Sequence, residues 1–375
     1  MLTRFSVCNF KNFSSELVFD LSAGRYSFND SNVEDRTVRT SIIYGYNASG
    51  KSNLAFAMFD IVRMLTDNNF VVEKYDNYKN ALKPKERTCF SYSFRFNGNE
   101  ICYSYEKESL DRAVSETLSI NGKEKLAFNR DKSNVFRHSF AGAESLDCRI
   151  DNPKLCAVRY LKMNASLSSE DKDNNTFLEF YDFVDRMLLF WCLQNRSYIG
   201  FDSGTAMIID TIFNTNHLKD YNQFLKEAGI DRNVIAKKTP DGRIVSYYDF
   251  GGGKLLDYQS NMSNGESSLL LFYYWFLQSQ GGRKPSLVFI DEFDAFYHVG
   301  LSRFIVEKLR DNLSSQVILT THNPSLCSNE LLRPDSYFIL KENRIQSFDK
   351  STDKEIRQVH NLQRMFLAGT FSHGN

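Results

Sequence analysis

The sequence predicts an α/β fold built on a mixed sheet, with an antiparallel β-subdomain near its N-terminal half and a helical insertion. Three observations carry this reading. A strand-like segment at residues 40–44 runs through a glycine-rich loop into a helix-like segment at 53–62. Two later apolar runs, 286–290 and 317–319, each end in a polar tip. Between these parts lie runs of alternating apolar and polar residues joined by Asn-Gly pairs, the signature of β-hairpins.

Residues 1–22 read as a hairpin, with one strand from Leu2 to Cys8, a turn at 9–13 and a second strand at 17–21. The loop that follows the strand at 40–44 is Gly45-Tyr46-Asn47-Ala48-Ser49-Gly50-Lys51-Ser52, which fits G-x-x-x-x-G-K-[ST] at every fixed position. The glycines let the backbone curl so that its N–H groups point inward at phosphate oxygens. The helix adds its unpaired N-terminal N–H groups and the positive end of its dipole. In such a loop Lys51 reaches the β- and γ-phosphates, and the Ser52 hydroxyl ligates Mg²⁺. Asn47, Ala48, Ser49 and Asn53 complete the candidate nucleotide-binding set.

A polar stretch at 67–87 reads as loop or short helix. Hairpins are then expected around Asn97-Gly98 and Asn121-Gly122. The region from about 160 to 245 differs in character. Thr176 and Glu179 have capping-box spacing, and an apolar helical stripe is expected through Phe177, Phe180, Tyr181, Phe183, Val184, Met187, Leu188 and Trp191. A second helix should run from about His217 to Ala228 and stop at Gly229. These expectations divide the chain into an N-terminal lobe at 1–159, a helical insertion at 160–245 and a C-terminal lobe at 246–375. Asp241-Gly242 reads as a turn, and Gly251-Gly252-Gly253 as a flexible connector.

The C-terminal lobe carries the remaining chemistry. Asp291 and Glu292 end an apolar strand, which would deliver them beside the phosphate loop. Asp291 suits a Mg²⁺ contact, direct or through water, and Glu292 suits the group that polarises an attacking water. His322 ends the next apolar strand, within reach of a γ-phosphate. Ser263 and Gly265 precede a helix expected at 267–280, a second anion-binding helix end. Each of these has a plainer explanation as a polar turn or a helix cap; their order and spacing favour the functional one.

Bulk composition bounds the class. A chain of 375 residues holds one large domain or two modest ones. Lys+Arg and Asp+Glu are equal at 46 each, so net charge gives no reason to expect a nucleic-acid binder. Net charge averages over the surface, however, and leaves room for a local basic face. The start has no long apolar region of the kind a signal peptide needs. The longest apolar run, 269–277, falls far short of the ~20 residues that span a bilayer. Seven scattered cysteines without a C-x-x-C pair suit reduced thiols and a cytoplasmic location.

Taken together, the motifs resemble the ABC-type ATPases of the SMC/RecF class, and within it the prokaryotic AAA-type ATP-binding proteins of the abortive-infection and OLD-like kind. The loop reading G-x-N-A-S-G-K-S-N is typical of that group, as is Asn9-Phe10-Lys11-Asn12-Phe13. Met262-Ser263-Asn264-Gly265-Glu266 resembles a degenerate ABC signature. Residues 291–298 resemble the second acidic motif running into the D-loop, with His298 where transporters have Asp. Thr320-Thr321-His322-Asn323 resembles the H-loop, Leu332-Arg333-Pro334-Asp335 the strand entry that follows it, and residues 361–371 the C-terminal ending of these proteins. The resemblance covers about 1–130 and 255–371.

What the resemblance implies is a P-loop ABC-type ATPase head that uses ATP and Mg²⁺, with Glu292 and His322 catalytic. It implies a head-to-tail homodimer, or a higher even-numbered oligomer, in which Ser263 and Gly265 of one copy face the loop of the other. It also implies a sensor or switch in antiviral defence that controls a separate effector protein encoded nearby. A DNA-maintenance ATPase that clamps nucleic acid is the rival, and a scaffold that binds ATP without turnover is a third reading, which Glu292 disfavours. No Q-loop glutamine is evident, no long heptad arms are present, and no Toprim-type acidic cluster follows His322.

Overall fold

The computed structural model describes residues 1–68, 72–192, 197–201, 208–213, 217–280, 284–312 and 314–371. Among these residues two seven-stranded sheets dominate. The first is antiparallel throughout, in the order Arg137–His138, Lys123–Asn129, Arg112–Ile120, Asn99–Ser109, Thr88–Phe96, Leu2–Cys8, Leu17–Asp20. The expected hairpins are all here. Asn97 and Gly98, and likewise Asn121 and Gly122, adopt positive φ, the conformation a two-residue hairpin turn demands.

The second sheet is mixed. Its order is Ser197–Gly200, Met187–Cys192, Leu287–Ile290, Gln316–Thr321, Thr40–Tyr44, Tyr337–Lys341, Arg344–Ser347. The five inner strands are parallel and the two outer ones antiparallel to their neighbours. Because successive side chains point to opposite faces, each inner strand feeds two cores. Ile43, Met187, Leu189, Phe289, Ile318 and Phe338 join the core shared with the antiparallel sheet. Ile42, Leu188, Phe190, Val288, Leu319 and Tyr337 join the core under the helices Asn264–Ser279 and Val299–Asn312. Burial on both faces explains why these strands read as unbroken apolar runs.

That same property misleads the helical reading of residues 176–191. The helix starts earlier, at Lys172, where the Asp171 side chain accepts from the N–H groups of Asp173 and Asn174, and it ends at Asp185. Met187–Cys192 is instead a strand, parallel to Leu287–Ile290 in the mixed sheet. A short apolar run fits helix and buried strand alike, and the spacing of Phe183, Val184, Met187 and Leu188 hides the change. Phe177, Phe180, Phe183, Val184, Met187 and Leu188 are buried in the cores and Trp191 packs against them, so the stripe is not a free surface. Region 160–245 also holds the strand Asn233–Lys238, which pairs with Ile244–Asp249, itself spanning position 245. The second helix, His217–Glu227, and its stop at Gly229 (φ +82°) are as expected. The expected loop at 67–87 contains a 3₁₀ turn at Val72–Tyr75, and residues 69–71 lie outside the described set.

Two buried carboxyl groups organise the N-terminal half. Asp60 opens the helix Asp60–Leu65 and accepts from Lys107 Nζ at 2.8 and 3.0 Å and from Tyr105 Oη at 2.8 Å. Both members of the ion pair are fully buried. Glu116, also buried, accepts from the N–H groups of Ala157 (2.8 Å) and Val158 (3.3 Å) and from Tyr103 Oη (3.0 Å). It thereby satisfies the otherwise unpaired buried donors that begin the helix Ala157–Asn164.

Candidate functional site

The parallel strands Leu287–Ile290, Gln316–Thr321 and Thr40–Tyr44 lie side by side in register, with Ile290 opposite Leu319 and Thr321 opposite Tyr44. Their carboxyl ends therefore open on one edge of the sheet, where ligand crevices of open α/β folds form. Three loops meet there: residues 45–52, Asp291–Glu292, and His322.

The loop at 45–52 is shaped by close approaches. Gly50 has φ +103° and precedes the helix Lys51–Met58. A Cβ at Gly50 would lie 2.5 Å from the Asn12 amide nitrogen and displace that side chain, and the positive φ itself favours glycine. A Cβ at Gly45 would meet Ser49 Oγ at 2.5 Å and the Leu340 carbonyl at 2.9 Å. Asn12 Oδ1 accepts from Asn53 Nδ2 at 2.7 Å, which ties the N-terminal turn to the first turn of the helix. Asn47 and Ala48 are exposed at the loop tip, and the Ser49 hydroxyl is buried without a hydrogen-bond partner.

Lys51 is buried and folds back on the loop. Its Nζ donates to the carbonyls of Gly45 (2.9 Å) and Tyr46 (3.3 Å) and lies 3.0 Å from His322 Nε2. For the ammonium to donate to His322, Nε2 must be the bare ring nitrogen. Burial lowers the Lys51 pKa, while Asp291 and Glu292 push it back up. An entering anion would supply the charge that these neutral acceptors lack.

Opposite Lys51, Ser52 Oγ donates to Asp291 Oδ2 at 2.5 Å. Thr320 Oγ1 donates to Asp291 Oδ1 at 2.6 Å and accepts from the Glu292 N–H at 2.7 Å. Glu292 holds φ +48°, rare for a residue with a side chain, and its carboxylate is exposed. Backbone conformations of that kind cluster at functional sites. Asp294 accepts from Thr321 Oγ1 at 2.7 Å, and burial raises its pKa.

These residues fit a magnesium nucleotide. A serine hydroxyl beside a carboxylate is a hard-oxygen pair, and among the described residues no cluster of three or more His, Cys, Asp or Glu side chains is placed to hold a metal alone. Mg²⁺ is usually held that way, by one or two protein oxygens with phosphates and waters completing the shell. The unpartnered Ser49 hydroxyl and the helix N-terminus after Gly50 are donors suited to phosphate oxygens.

Ser263 and Gly265 stand apart. The helix begins at Asn264, three residues earlier than expected, and Ser263 caps it in a capping box with Glu266. Ser263 Oγ accepts from the Glu266 N–H at 3.2 Å and donates to Glu266 Oε2 at 2.8 Å. A Cβ at Gly265 would approach the Phe296 carbonyl at 3.0 Å, so the helix end packs on the loop after Glu292. Among the described residues neither Ser263 nor Gly265 hydrogen-bonds to residues 45–53 within one chain. His298 accepts from the Leu301 N–H at 3.2 Å and so begins the helix Val299–Asn312. Asn12 and Thr320 were not singled out by sequence reasoning. Both lie within the segments 9–13 and 320–323, but nothing local says that Asn12 folds back onto Gly50 or that Thr320 bridges to Asp291.

A phosphate loop with its lysine, a strand-end acid pair and a histidine from the adjacent strand make up a P-loop nucleotide-binding domain of the AAA kind. The chain belongs to the family described as AAA domain, putative AbiEii toxin, Type IV TA system, whose profile matches residues 41–328. Among solved structures it is similar to an SmcHead bound to the C-winged helix domain of ScpA, at 14% identity and a TM-score of 0.46, covering 94% of this chain and 99% of that one. It is similar also to the SMC head domain from Thermotoga maritima, at 18% identity and a TM-score of 0.41, covering 92% and 97%. A third is the Pyrococcus furiosus Smc head domain with an extended coiled coil bound to the C-terminal domain of ScpA, at 12% identity and a TM-score of 0.40, covering 93% and 97%. No curated protein matches the chain. Among the described residues no helix is long and apolar enough to cross a membrane.

Proposed function

We propose that this chain binds ATP with Mg²⁺ at residues 45–53 and hydrolyses it, and that the cycle drives a switch in antiviral defence acting on a separate effector. The observation that carries the hydrolytic part is the chain Ser52–Asp291–Thr320–Glu292, which ends in an exposed carboxylate beside the loop. Lys51 leaves its loop carbonyls to meet the β- and γ-phosphates. Ser52 and Asp291 would hold Mg²⁺, which would supply neutralisation of charge on the phosphates. Glu292 accepts a proton from the attacking water, and His322, freed from Lys51, donates to the γ-phosphate once Nε2 carries a proton, through a change of tautomer or protonation of the ring. Ser263 and Gly265 of a second copy complete the site in a homodimer, since their helix end is not joined to the loop of its own chain.

The family description, which names a putative AbiEii toxin and a Type IV TA system, supports the defence setting. The test of turnover is Glu292→Gln, which keeps the volume but is a poor proton acceptor. It should bind ATP, lose hydrolysis by about 10²-fold or more, and accumulate as an ATP-bound dimer in light scattering. Hydrolysis at the wild-type rate would reassign the base. Copurification with the products of neighbouring genes tests the effector. Tight, salt-sensitive DNA binding without such a partner would favour the nucleic-acid clamp instead.

A further inference from the structure

The strand Leu2–Cys8 pairs with Thr88–Phe96 so that Cys8 lies directly opposite Cys89. The burial pattern turns both toward the same side. Phe5, Val7 and Phe90 point into the core, while Ser6, Cys8, Cys89 and Ser91 line a shallow polar groove open to solvent. Opposed residues of an antiparallel pair hold their Cβ atoms about 4.5–5.5 Å apart. A disulfide needs Cβ atoms at about 3.5–4.5 Å. A shift of about 1 Å therefore suffices to close one.

The pair sits at the foot of a turn that reaches the nucleotide site. Asn9, next to Cys8, donates through its amide to the carbonyls of Lys83 and Glu86, at 3.0 Å each. Its own carbonyl accepts from Thr88 Oγ1, the residue before Cys89, at 3.0 Å. The Lys11 N–H donates to the Tyr78 carbonyl at 2.6 Å. Three residues beyond Asn9, Asn12 packs on Gly50 and accepts from Asn53. The turn is pinned at its base and its tip touches the phosphate loop, so a displacement at the base is carried to Asn12.

We propose that Cys8 and Cys89 form a reversible thiol–disulfide site whose oxidation draws the two strands together and weakens nucleotide binding by moving Asn12 on the phosphate loop. The oxidant is a small-molecule disulfide such as oxidised glutathione. The Cys8 thiol loses its proton and attacks one sulfur; the S–S bond of the oxidant breaks, a mixed disulfide forms and one glutathione thiolate leaves. Cys89 then loses its proton and attacks the Cys8 sulfur, and the second glutathione thiolate leaves. The protein loses two electrons and two protons, and the oxidant becomes two thiols. Burial and the neighbouring Cys8 thiol push Cys89 up to about 12, which disfavours its thiolate.

The coupling to nucleotide rests on the ATP-binding reading above; the disulfide does not. The experiment equilibrates the full chain, as wild type, Cys8→Ser and Cys89→Ser, in buffers of reduced and oxidised glutathione. Peptide mapping reads the linkage, hydrogen exchange reads residues 9–13 and 45–53, and calorimetry reads ATP–Mg²⁺ affinity. The expected result is a Cys8–Cys89 linked peptide in wild type alone, altered exchange at 9–13, and ATP affinity at least about threefold weaker, reversed by dithiothreitol. The serine variants should bind ATP alike in both buffers. No linked peptide, or a linked peptide with unchanged exchange at 9–13 and unchanged or tighter binding, would overturn the proposal. If reduced wild type binds no ATP at all, the nucleotide reading falls, and peptide mapping with exchange decides the disulfide by itself.

Discussion

Thr320 Oγ1 donates to Asp291 Oδ1 at 2.6 Å while accepting the Glu292 N–H at 2.7 Å. One hydroxyl on the middle strand thus orients the carboxylate beside Ser52 and fixes the backbone of the residue after it, which sits at φ +48°. Thr320 is fully buried, so neither contact is replaced by water when the hydroxyl is removed.

Thr320→Val keeps the shape and removes both contacts. Each lost hydrogen bond should cost about 1 kcal/mol of stability. ATP turnover should fall about tenfold or more, because a misplacement near 1 Å is costly to catalysis. Steady-state hydrolysis with a urea melt checks this. Wild-type turnover in a folded variant would show that Asp291 and Glu292 hold their positions without Thr320.

The Lys107–Asp60 pair predicts a stability effect remote from the loop. Lys107→Met strands a buried carboxylate and should cost about 3–5 kcal/mol. Replacing both, as Asp60→Leu with Lys107→Met, should cost less than the single change, since no charge is then left buried. Equilibrium denaturation of the three proteins decides it. A double variant less stable than Lys107→Met would mean that the Tyr105 hydrogen bond to Asp60 outweighs the pairing.

Glu116 predicts a pH slope. Burial raises its pKa above the ordinary 4.5, against the pull of the Ala157, Val158 and Tyr103 donors. Between the unfolded and folded values the folded chain binds more protons, so stability falls as pH rises through that window. Glu116→Gln has no proton to lose. Wild type should therefore lose stability relative to Glu116→Gln as pH is raised from about 4, whatever the constant offset between them. A slope of the opposite sign would show that the three donors outweigh burial.

Much of this architecture was legible in the chain because local signals suffice for it. Asn97-Gly98 and Asn121-Gly122 specify hairpin turns by φ alone, and the loop at 45–52 carries its glycines where the backbone needs them. The strand ends at Asp291 and His322 follow from apolar runs stopping at polar residues. Residues 187–192 were not legible, because a strand buried on both faces has no alternation to distinguish it from a helix. Asn12 and Thr320 act through contacts 38 and 29 residues away in sequence, with Gly50 and Asp291. Such contacts exist only once the sheets have paired. The parting of Ser263 and Gly265 from the loop is likewise a property of the folded chain.

The central claim is that Lys51 and its loop hold the phosphates of ATP, and the direct measurement is isothermal titration of ATP–Mg²⁺ into wild type and Lys51→Ala. Among the described residues the Lys51 ammonium donates to the Gly45 and Tyr46 carbonyls and lies against His322, with no carboxylate in direct contact, so its charge is open to an anion. Wild type should bind with a single loop-dependent affinity. Lys51→Ala, checked for folding by its melting curve, should lose about 2 kcal/mol or more of binding free energy, roughly thirtyfold in Kd. Equal affinities in two folded proteins would contradict the account at its base.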